Sequence, residues 1–304
     1  ILVVIPARGG SKGIPRKNLR LLNGKPLIFY SITTALSSKY NVDVYLTSDD
    51  EEILNLGGKF GAKTHKRNSD ISNDKSTLDP VIFSCYSYAR EKEDKDYKYI
   101  ITMQPTSPLL KVGTLDLAIQ KALSDQKIDT IIAAKDDTCL TWKFENNNYL
   151  PNYKKRLNRQ YLPPIFKETG AFVITRKNVI TEKTRIGNNV LLHILKKGED
   201  LDIDTFEDIN LCEYFLKRKH VLFVVTGNKK VGLGHVYRTL LLANDIVNHK
   251  VTFLVDNTSE MAFNKIKLNN FDAKIQKSPK LIDDIIKLNP DTVINDILDT
   301  QKDY

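Results

Sequence analysis

The stretch PARGGSKGIPRKN, residues 6–18, holds the densest group of residues that could do chemistry, and it directly follows the strand-like run ILVVI. Glycines let backbone N–H groups approach a ligand closely, and clustered cations attract an anion. The stretch fits neither the G-x-x-x-x-G-K-[ST] pattern nor G-x-G-x-x-G. It therefore predicts a phosphate-binding loop of another kind, and the alternative is a tight turn with surface cations. The residues concerned are Gly9, Gly10, Gly13, Arg8, Lys12, Arg16 and Lys17.

Two carboxylates, Asp202 and Asp204, flank Ile203 in the stretch LDIDTFEDI. In an extended segment, side chains two residues apart point the same way, so both carboxylates would share one face while the isoleucine is buried. Mg²⁺ prefers such oxygen ligands and otherwise keeps water and substrate phosphates. The alternative is a solvated acidic patch before a helix. A phosphate-binding loop elsewhere in the chain favours the metal interpretation, because a metal–nucleotide site needs both parts.

A third candidate is Gln104, which opens the proline-rich stretch QPTSP directly after the apolar run YIITM. A neutral amide at the end of a strand can hydrogen-bond a sugar or a base. The same stretch could equally be a rigid turn with no ligand. Spacing alone leaves these two interpretations open.

These candidates must be positioned by strands that alternate with helices. Apolar runs typical of strands alternate with segments whose apolar residues recur at spacings of three and four. The predicted strands are 1–5, 42–47, 99–103, 130–134 and 171–175, and the predicted helices are 26–38, 50–60, 79–92, 115–123 and 205–217, the last beginning with a capping box. The alternation predicts an α/β fold with a mainly parallel sheet covered on both faces. Ligands bind such sheets at the carboxyl ends of strands, where residues 6–18 and Gln104 are expected to lie.

Two other segments define the organisation of the chain. Residues 136–168 are polar, contain several prolines and show no clear period, so we expect a long loop engaged in function or with a partner. Near residue 219, the basic stretch KRKH precedes a new strand, VLFVV, and a second glycine-rich loop, TGNKKVGLGH. This change predicts one domain over 1–219 and another over 220–304.

The composition, with 41% hydrophobic and 27% charged residues, is that of a globular protein, and no apolar run approaches the ~20 residues that span a bilayer. Three distant cysteines, Cys85, Cys139 and Cys212, are typical of a reduced, cytoplasmic protein without a disulfide framework or zinc site.

The net charge is +9, and residues 220–304 hold 11 Lys and Arg against 10 Asp and Glu, so the excess of positive charge lies in 1–219. Because these cations are not interleaved with aromatics, we expect an anionic small-molecule substrate and no nucleic acid. The lack of an initiator Met and the ending QKDY predict a fragment of a longer chain.

Six motifs in this order resemble those of the acylneuraminate cytidylyltransferases, the CMP-sialic acid synthetases. They are IPARGGSKGIPRKN, TSDDEEI, SDISNDKSTLD, QPTSPL, RQYLPP…ETGAF and DIDTFEDI, and together they span essentially all of 1–219. The resemblance implies a GT-A-like Rossmann nucleotidyltransferase fold, CTP as a substrate, Mg²⁺ as a cofactor and a nine-carbon 2-keto sugar acid as the acceptor. It also implies a homodimer in which 136–168 is the dimerisation arm.

The same resemblance implies roles for individual residues. The catalytic residues would be Arg8, Lys17, Asp202 and Asp204, with the two aspartates binding the metal. The nucleotide-binding residues would be Ala7, Arg8, Gly9, Gly10, Ser11, Lys12, Lys17, Asn18, Arg67, Asp74 and Ser76. The sugar-binding residues would be Gln104, Arg159, Gln160, Lys167, Thr169 and Gly170. In the implied reaction the anomeric hydroxyl of the sugar attacks the α-phosphate of CTP and pyrophosphate leaves, so positioning and charge neutralisation dominate. No histidine is placed as an obvious base, and we expect metal-assisted or carboxylate-assisted deprotonation.

The second glycine-rich loop, with GLGH followed by VYRTLLLANDI, resembles the opening of the GT-B-like nucleotide-sugar hydrolases of pseudaminic acid synthesis. The resemblance covers 220–304, implies a partial second Rossmann-like module, half of a GT-B fold, and makes His235 a candidate general base. Two alternatives to a cytidylyltransferase therefore stay open. One is a bifunctional sugar-nucleotide pathway protein whose C-terminal module is a UDP-sugar hydrolase, and the other is a non-catalytic nucleotide-binding regulator. The intact cations and carboxylate pair favour an enzyme over a regulator.

Overall fold

The computed structural model describes residues 1–11, 13–67 and 77–297, which belong to two compact units, Ile1–Phe215 and Leu216–Tyr304. The boundary predicted near residue 219 lies a few residues beyond this division. Three of the predicted nucleotide-binding residues, Lys12, Asp74 and Ser76, lie outside the described residues.

The first unit contains strands β1 (Leu2–Pro6), β2 (Leu21–Leu22), β3 (Lys25–Pro26), β4 (Asp43–Ser48), β5 (Lys63–Lys66), β6 (Tyr99–Thr102), β7 (Thr130–Asp136), β8 (Trp142–Glu145), β9 (Asn148–Pro151), β10 (Phe166–Arg176) and β11 (Val190–Ile194). Its helices are α1 (Leu27–Leu36), α2 (Glu51–Lys59), α3 (Leu78–Glu93), α4 (Val112–Ser124) and α5 (Phe206–Lys217). All five predicted strands and all five predicted helices of this region are present.

Seven of these strands form one sheet in the order β11-β7-β10-β6-β1-β4-β5. Strand β1 pairs in parallel with β4 and β6, and β10 runs antiparallel to both β6 and β7. The predicted α/β fold with a mainly parallel sheet is therefore confirmed, with β10 as the antiparallel strand. The chain leaves β1 towards β4 and β5 and then returns to β6 on the opposite side, so the loops after β1 and β6 diverge and leave a crevice between them.

The first strand shows why both faces of the sheet are covered. Successive side chains of a strand point to opposite faces. Accordingly, Val3 and Ile5 pack into one hydrophobic cluster while Leu2 and Val4 pack into another. A continuous apolar run such as ILVVI is what a strand buried on both sides requires.

Local polar contacts fix the starts of two helices beside the sheet. Asp50 accepts the N–H groups of Glu52 and Ile53 at the N-terminus of α2. At α5 the predicted capping box is confirmed, because the N–H of Thr205 donates to Asp208 Oδ2 at 2.8 Å and the N–H of Asp208 donates back to Thr205 Oγ1 at 3.3 Å. Both contacts satisfy backbone donors that the helix itself leaves without a partner.

The prediction of an irregular loop over 136–168 is wrong in part. Strand β7 extends to Asp136, β8 and β9 form an antiparallel hairpin, a short 3-10 helix covers Arg159–Tyr161, and β10 begins at Phe166. Asn146 and Asn147 link β8 to β9 with φ values of 51° and 62°. Asparagine tolerates this left-handed conformation. A two-residue hairpin turn with positive φ at both positions requires it.

The second unit contains β12 (His220–Val225), α6 (Gly234–Asp245), β13 (Lys250–Val255), α7 (Glu260–Leu268), β14 (Asp272–Ile275), α8 (Leu281–Leu288) and β15 (Thr292–Asp296). Its four strands form a parallel sheet in the order β14-β13-β12-β15. Phe223 and Leu222 of β12 pack into different hydrophobic clusters, which shows that this sheet is also covered on both faces. Within the described part of the chain, no helix has both the length and the apolar character needed to cross a membrane.

Candidate active site

The crevice between β1 and β6 contains a cavity of about 200 Å³. Its lining residues come from the glycine-rich loop after β1, from the segment after β5, from the start of α3 and from the turn after β6. They are Pro6, Arg8, Ser11, Lys17, Asn18, Arg67, Leu78, Gln104, Pro105 and Thr106. The structure therefore brings together six of the predicted site residues, Arg8, Ser11, Lys17, Asn18, Arg67 and Gln104, from distant parts of the chain.

Backbone contacts hold the glycine-rich loop in a defined shape. The N–H of the buried Ala7 donates to the carbonyl of Thr47 at 3.0 Å, which extends the pairing of β1 with β4. The side-chain amide of Asn18, a buried residue, donates to the carbonyl of Arg8 at 2.8 Å and closes the loop. Gly13 has no room for a side chain, since a Cβ there would lie 2.8 Å from the carbonyl oxygen of Asp204. This close approach places the loop directly against the carboxylate pair.

Lys17 makes the polar connection between the loop and that pair. Its Nζ donates to the carbonyl of Ile203 at 2.9 Å and lies 3.1 Å from Asp204 Oδ1. The Lys17 side chain is only 16% exposed, whereas that of Asp204 is 75% exposed. The lysine is thus held in the wall of the cavity by its neighbours, and the Asp204 carboxylate keeps open access for a ligand.

The carboxylate oxygens of Asp202 and Asp204 are the kind of ligand that the implied Mg²⁺ prefers. Ile203 between them is fully buried, as the alternating pattern predicted. Asp202 Oδ1 is buried and has no hydrogen-bond partner among the described residues. Burying a carboxylate oxygen in this way is unfavourable in free energy unless a ligand binds to it. In residues 1–11, 13–67 and 77–297 no cluster of three or more His, Cys, Asp or Glu could hold a metal. Two carboxylates nevertheless suffice for Mg²⁺ when substrate phosphates and water supply the other ligands.

Arg67 is a cation buried at the base of the cavity. Its side chain is 5% exposed, and its Nε and one terminal nitrogen find no hydrogen-bond acceptor in the described part of the chain. Burial lowers the pKa of the guanidinium, and the carboxylate of Asp49, 3.6 Å away, acts in the opposite direction. A buried guanidinium with unsatisfied donors is well suited to bind an anionic or carbonyl oxygen.

The turn after β6 places Gln104 on the other side of the cavity. The N–H of Gln104 donates to the carbonyl of Gly170 in β10 at 2.9 Å, and the N–H of Ile203 donates to the carbonyl of Thr106 at 2.8 Å. The hydroxyls of Thr106 and Ser107 are buried and lack partners among the residues described. A Cβ on Gly170 would lie 2.9 Å from Thr106 Oγ1 and 3.2 Å from Gln104 Cβ, so a glycine is needed for this packing.

Of the six predicted sugar-binding residues, Gln104 lines this cavity and the other five are not among its lining residues. Arg159, Gln160 and Lys167 are exposed on the segment that follows the β8–β9 hairpin. Arg159 instead lines a separate cavity of about 350 Å³, together with Asp137, Thr138, Cys139, Leu140, Leu157 and Leu162. Thr169 is buried in β10, where its hydroxyl donates to the carbonyl of Ala133 at 3.2 Å.

Two predicted loop glycines have different surroundings. The N–H of Gly9 donates to Asp49 Oδ1, whereas Gly10 is exposed with nothing near its Cα that would meet a side chain. Asp49, Thr106 and Ser107 were given no individual role from the sequence. The signal that could have identified them is position, since Asp49 follows directly on β4, and Thr106 and Ser107 lie in the turn after β6, at the carboxyl edge of the sheet.

The second unit has its own polar cluster at the carboxyl ends of β12 and β15. His235, in the first turn of α6, lies with its Nδ1 2.8 Å from Asp296 Oδ1 at the end of β15. Arg238 donates from Nε to Asp296 Oδ2 at 2.9 Å. The hydrogen bonds from Arg238, and then that from His235, lower the pKa of Asp296 despite its partial burial, so it accepts the Nδ1–H of His235 as a carboxylate. Nε2 of the imidazole is then the nitrogen left for proton transfer.

Comparison with known proteins identifies the family of the first unit. The family model described as Cytidylyltransferase matches residues 2–223. The pseudaminic acid cytidylyltransferase of Campylobacter jejuni is 33% identical over 72% of this chain and 97% of that protein. The CMP-N,N'-diacetyllegionaminic acid synthase of Legionella pneumophila is 30% identical over 71% of this chain and 96% of that protein.

Two further similarities agree with this assignment. The N-acylneuraminate cytidylyltransferase A of Danio rerio is 31% identical over 70% of this chain and 50% of that protein. The solved structure of CMP:2-keto-3-deoxy-manno-octonic acid synthetase complexed with CTP is similar in fold, with a TM-score of 0.52 and 15% identity over 71% of this chain and 97% of that one. At that identity the similarity shows the fold alone, an α/β fold with a mainly parallel mixed sheet. The chain belongs to the cytidylyltransferase family and is an enzyme of the nucleotidyltransferase type.

Proposed function

We propose that the protein transfers CMP from CTP to the anomeric hydroxyl of a nonulosonic acid, a nine-carbon 2-keto sugar acid, and releases pyrophosphate. The observation that carries this proposal is the convergence of Arg8, Lys17 and Arg67 on one cavity beside the carboxylates of Asp202 and Asp204. Clustered cations suit a triphosphate. Relatives named for pseudaminic, legionaminic and N-acylneuraminic acids support the class of acceptor.

The residues of the cavity would act by positioning and charge neutralisation. Arg8 and Lys17 would hold the phosphates and neutralise the charge that develops on the leaving pyrophosphate. Arg67 offers donors to the nucleotide from a buried position, where hydrogen bonds are stronger than in water. Gln104, on the opposite wall, would orient the sugar so that its hydroxyl faces the α-phosphate. None of the described residues that line the cavity is a histidine.

Mg²⁺ is the proposed cofactor, held by Asp202 and Asp204. When bound, it would neutralise phosphate charge and help to fix the triphosphate. Support comes from the unpartnered Asp202 Oδ1 and the exposed Asp204 carboxylate, which together present oxygen ligands at the edge of the cavity. Lys17 would keep Asp204 oriented through their contact of 3.1 Å.

We further propose a cytoplasmic homodimer in which the arm, residues 136–168, contacts the second subunit. The arm exposes an unusual number of large apolar side chains, and such patches mark interaction surfaces. They are Trp142, Phe144, Tyr149, Leu150, Tyr161, Ile165 and Phe166. Arg159, Gln160 and Lys167 do not reach the cavity of their own chain, which supports a role for them in the site of the other subunit. The free thiols of Cys85, Cys139 and Cys212 support the cytoplasmic assignment.

The test of this function is a pyrophosphate-release assay with CTP, Mg²⁺ and a panel of acceptors. The panel contains N-acetylneuraminate, legionaminate, pseudaminate and ketodeoxynonulosonate. We expect release that depends on one or more of these acids and on Mg²⁺, with the CMP-sugar identified by mass spectrometry. CTP binding without release for every acid would instead support the alternative of a nucleotide-binding regulator.

A second candidate function concerns residues 220–304, because His235 and Asp296 form a charge-assisted hydrogen bond at the carboxyl edge of the second sheet. A histidine oriented by a carboxylate is a common arrangement for a general base. This arrangement supports the interpretation of residues 220–304 as a partial Rossmann-like module, half of a GT-B fold, that hydrolyses nucleotide sugars. The protein would then be bifunctional. The test is UDP-sugar hydrolysis by the full chain and by His235→Ala, and equal rates for the two proteins would exclude this candidate.

A further inference from the structure

The segment TSDDEEI, residues 47–53 at the carboxyl end of β4, contacts two parts of the site through Asp49. The N–H of Gly9 donates to Asp49 Oδ1 at 3.1 Å. The same oxygen lies 3.6 Å from a terminal nitrogen of Arg67. One carboxylate oxygen thus connects the glycine-rich loop after β1 with the buried cation after β5, two parts of the site that belong to different strands.

Arg67 depends on this carboxylate for charge compensation. Its side chain is 5% exposed, and the nearby Arg8 adds a like charge that opposes its ionised form. Cys85 is also close, but burial raises the pKa of its thiol, which therefore stays protonated and neutral. Removing Asp49 would leave a buried guanidinium without a facing carboxylate among the described residues, which is a strongly unfavourable arrangement. Arg67 would then move or draw in other groups before any nucleotide binds.

The neighbouring acidic residues have different partners, which separates their role from that of Asp49. Asp50 caps α2 through the N–H groups of Glu52 and Ile53 and pairs with Arg16 at 3.0 Å. Glu52, with a side chain that is 64% exposed, pairs with the same arginine at 2.8 Å. Asp50 and Glu52 therefore hold Arg16, whereas Asp49, with a side chain that is 32% exposed, faces the buried Arg67.

We infer that Asp49 is a positioning residue for CTP, which orients Arg67 and fixes the Gly9 N–H without itself touching the nucleotide. The inference rests on the proposed function. It opposes a simple electrostatic expectation, because a carboxylate beside a triphosphate site should weaken CTP binding by repulsion. Removing the charge of Asp49 therefore strengthens CTP binding if repulsion dominates and weakens it if positioning dominates.

The experiment measures CTP binding to the full chain by isothermal titration calorimetry in the presence of Mg²⁺. Asp49→Asn keeps an oxygen acceptor for Gly9 but removes the charge that faces Arg67, so we expect the Kd for CTP to rise by about tenfold. Asp49→Ala removes both contacts and should raise the Kd further. Asp49→Glu retains the charge and should recover most of the affinity, which a purely steric role would not allow. Thermal unfolding midpoints report whether each variant is folded.

A double-mutant cycle tests whether the effect passes through Arg67. In an Arg67→Met background, Asp49→Asn should no longer weaken CTP binding, because the partner of the carboxylate is absent. The matched control is Glu52→Gln, which removes a carboxylate from the same segment but from the outer surface of the loop. We expect its Kd for CTP to stay within about twofold of that of the unaltered protein.

The outcomes separate this inference from the proposed function. If the unaltered protein neither binds CTP nor releases pyrophosphate, the proposed function itself fails. If it does both, but Asp49→Asn binds CTP as tightly as the unaltered protein or more tightly, the positioning role of Asp49 is refuted while the activity stands. The positioning role is also refuted if Asp49→Asn and Glu52→Gln weaken CTP binding equally. It is refuted as well if Asp49→Asn still weakens CTP binding in the Arg67→Met background.

Discussion

The two units of the chain use the same strand order to place different chemistry. In the first, β5-β4-β1-β6 are neighbours, and in the second β14-β13-β12-β15 follow the same order. In each, a glycine-rich loop follows the first strand in sequence and meets a carboxylate from another part of the unit. The partner of the first loop is Asp204, reached through Lys17, and the partner of the second is Asp296, reached through His235.

The difference lies in what the two carboxylates face. Around the first loop, cations line a cavity and one of them, Lys17, contacts Asp204 of the carboxylate pair, an arrangement suited to holding phosphates and a metal. At the second loop, the carboxylate orients an imidazole, an arrangement suited to moving a proton. The strand order therefore determines where a site forms, and the side chains on the loops determine its chemistry.

The largest effect is expected from the first carboxylate. Asp204→Asn should lower kcat for CMP transfer by about 10³-fold, because it removes the negative charge of a proposed metal ligand and the charge that faces Lys17. Pyrophosphate release at saturating CTP and Mg²⁺ measures this. Glu207→Gln, at an exposed position in the first turn of α5, is the control and should retain full turnover. A rate within tenfold of normal for Asp204→Asn would show that the metal assignment is wrong.

A smaller loss is expected when the loop cation is removed. Lys17→Met should lower kcat/KM for CTP by about 10²-fold, since a partly buried, preorganised donor is lost from the cavity wall. Steady-state kinetics with varied CTP measures the change. The control is Lys25→Met on β3, because Lys25 is exposed and contacts the ring of Phe29 instead of the cavity. Similar losses for both variants would mean that general charge, and not the position of Lys17, controls binding.

A selective effect on the sugar is expected from the glycine in β10. Gly170→Ala would push against Thr106 and Gln104, so we expect KM for the sugar acid to rise about tenfold while KM for CTP stays within twofold. Gly58→Ala is the matched control, because a Cβ at Gly58 meets nothing within 4 Å. An equal rise in both KM values would indicate general distortion of the site.

The smallest effect on CMP transfer is expected from the second unit. His235→Ala should leave the rate of CMP transfer within about twofold of normal, because the matched family model ends at residue 223. The same variant removes the proposed general base, so any UDP-sugar hydrolysis should fall by about 10²-fold or more. A matching loss of CMP transfer would show that the two loops do not act independently.

The sequence predicted the central elements because their burial appears as apolar runs. ILVVI and VLFVV are both strands, and the carboxyl ends of β1 and β6 meet as the parallel arrangement requires. Two edge strands, β5 and β11, were not predicted. In β5 the only buried side chain is His65, so its KTHK sequence carries no hydrophobic signal and its pairing with β4 is non-local.

The candidate site was predictable where motif and strand end coincide, and less so elsewhere. Arg8 and Gln104 lie just beyond the ends of β1 and β6, Lys17 lies at the end of the motif that follows β1, and all three line the cavity. Asp49 was missed because an acidic residue before a helix resembles an ordinary cap, and Asp50 beside it is one. Arg159 and Lys167 lie on the arm and do not line the cavity. Their position could not be predicted, because the motif around them carries no signal for where this segment packs.

Strand β10 joins two environments along a single run of eleven residues. Phe166 to Glu168 are exposed and pair only with β7, whereas Val173 to Thr175 are buried between β6 and β7. Amide hydrogen exchange should therefore be fast at the first end and slow at the second, with Gly170 at the transition. The carbonyl of Gly170 accepts the N–H of Gln104. A molecule that binds and orders the exposed end of β10, Phe166 to Glu168, should therefore also slow amide exchange at Gln104. The strand thus gives an isotopic measure of how firmly Gln104 is held beside the cavity.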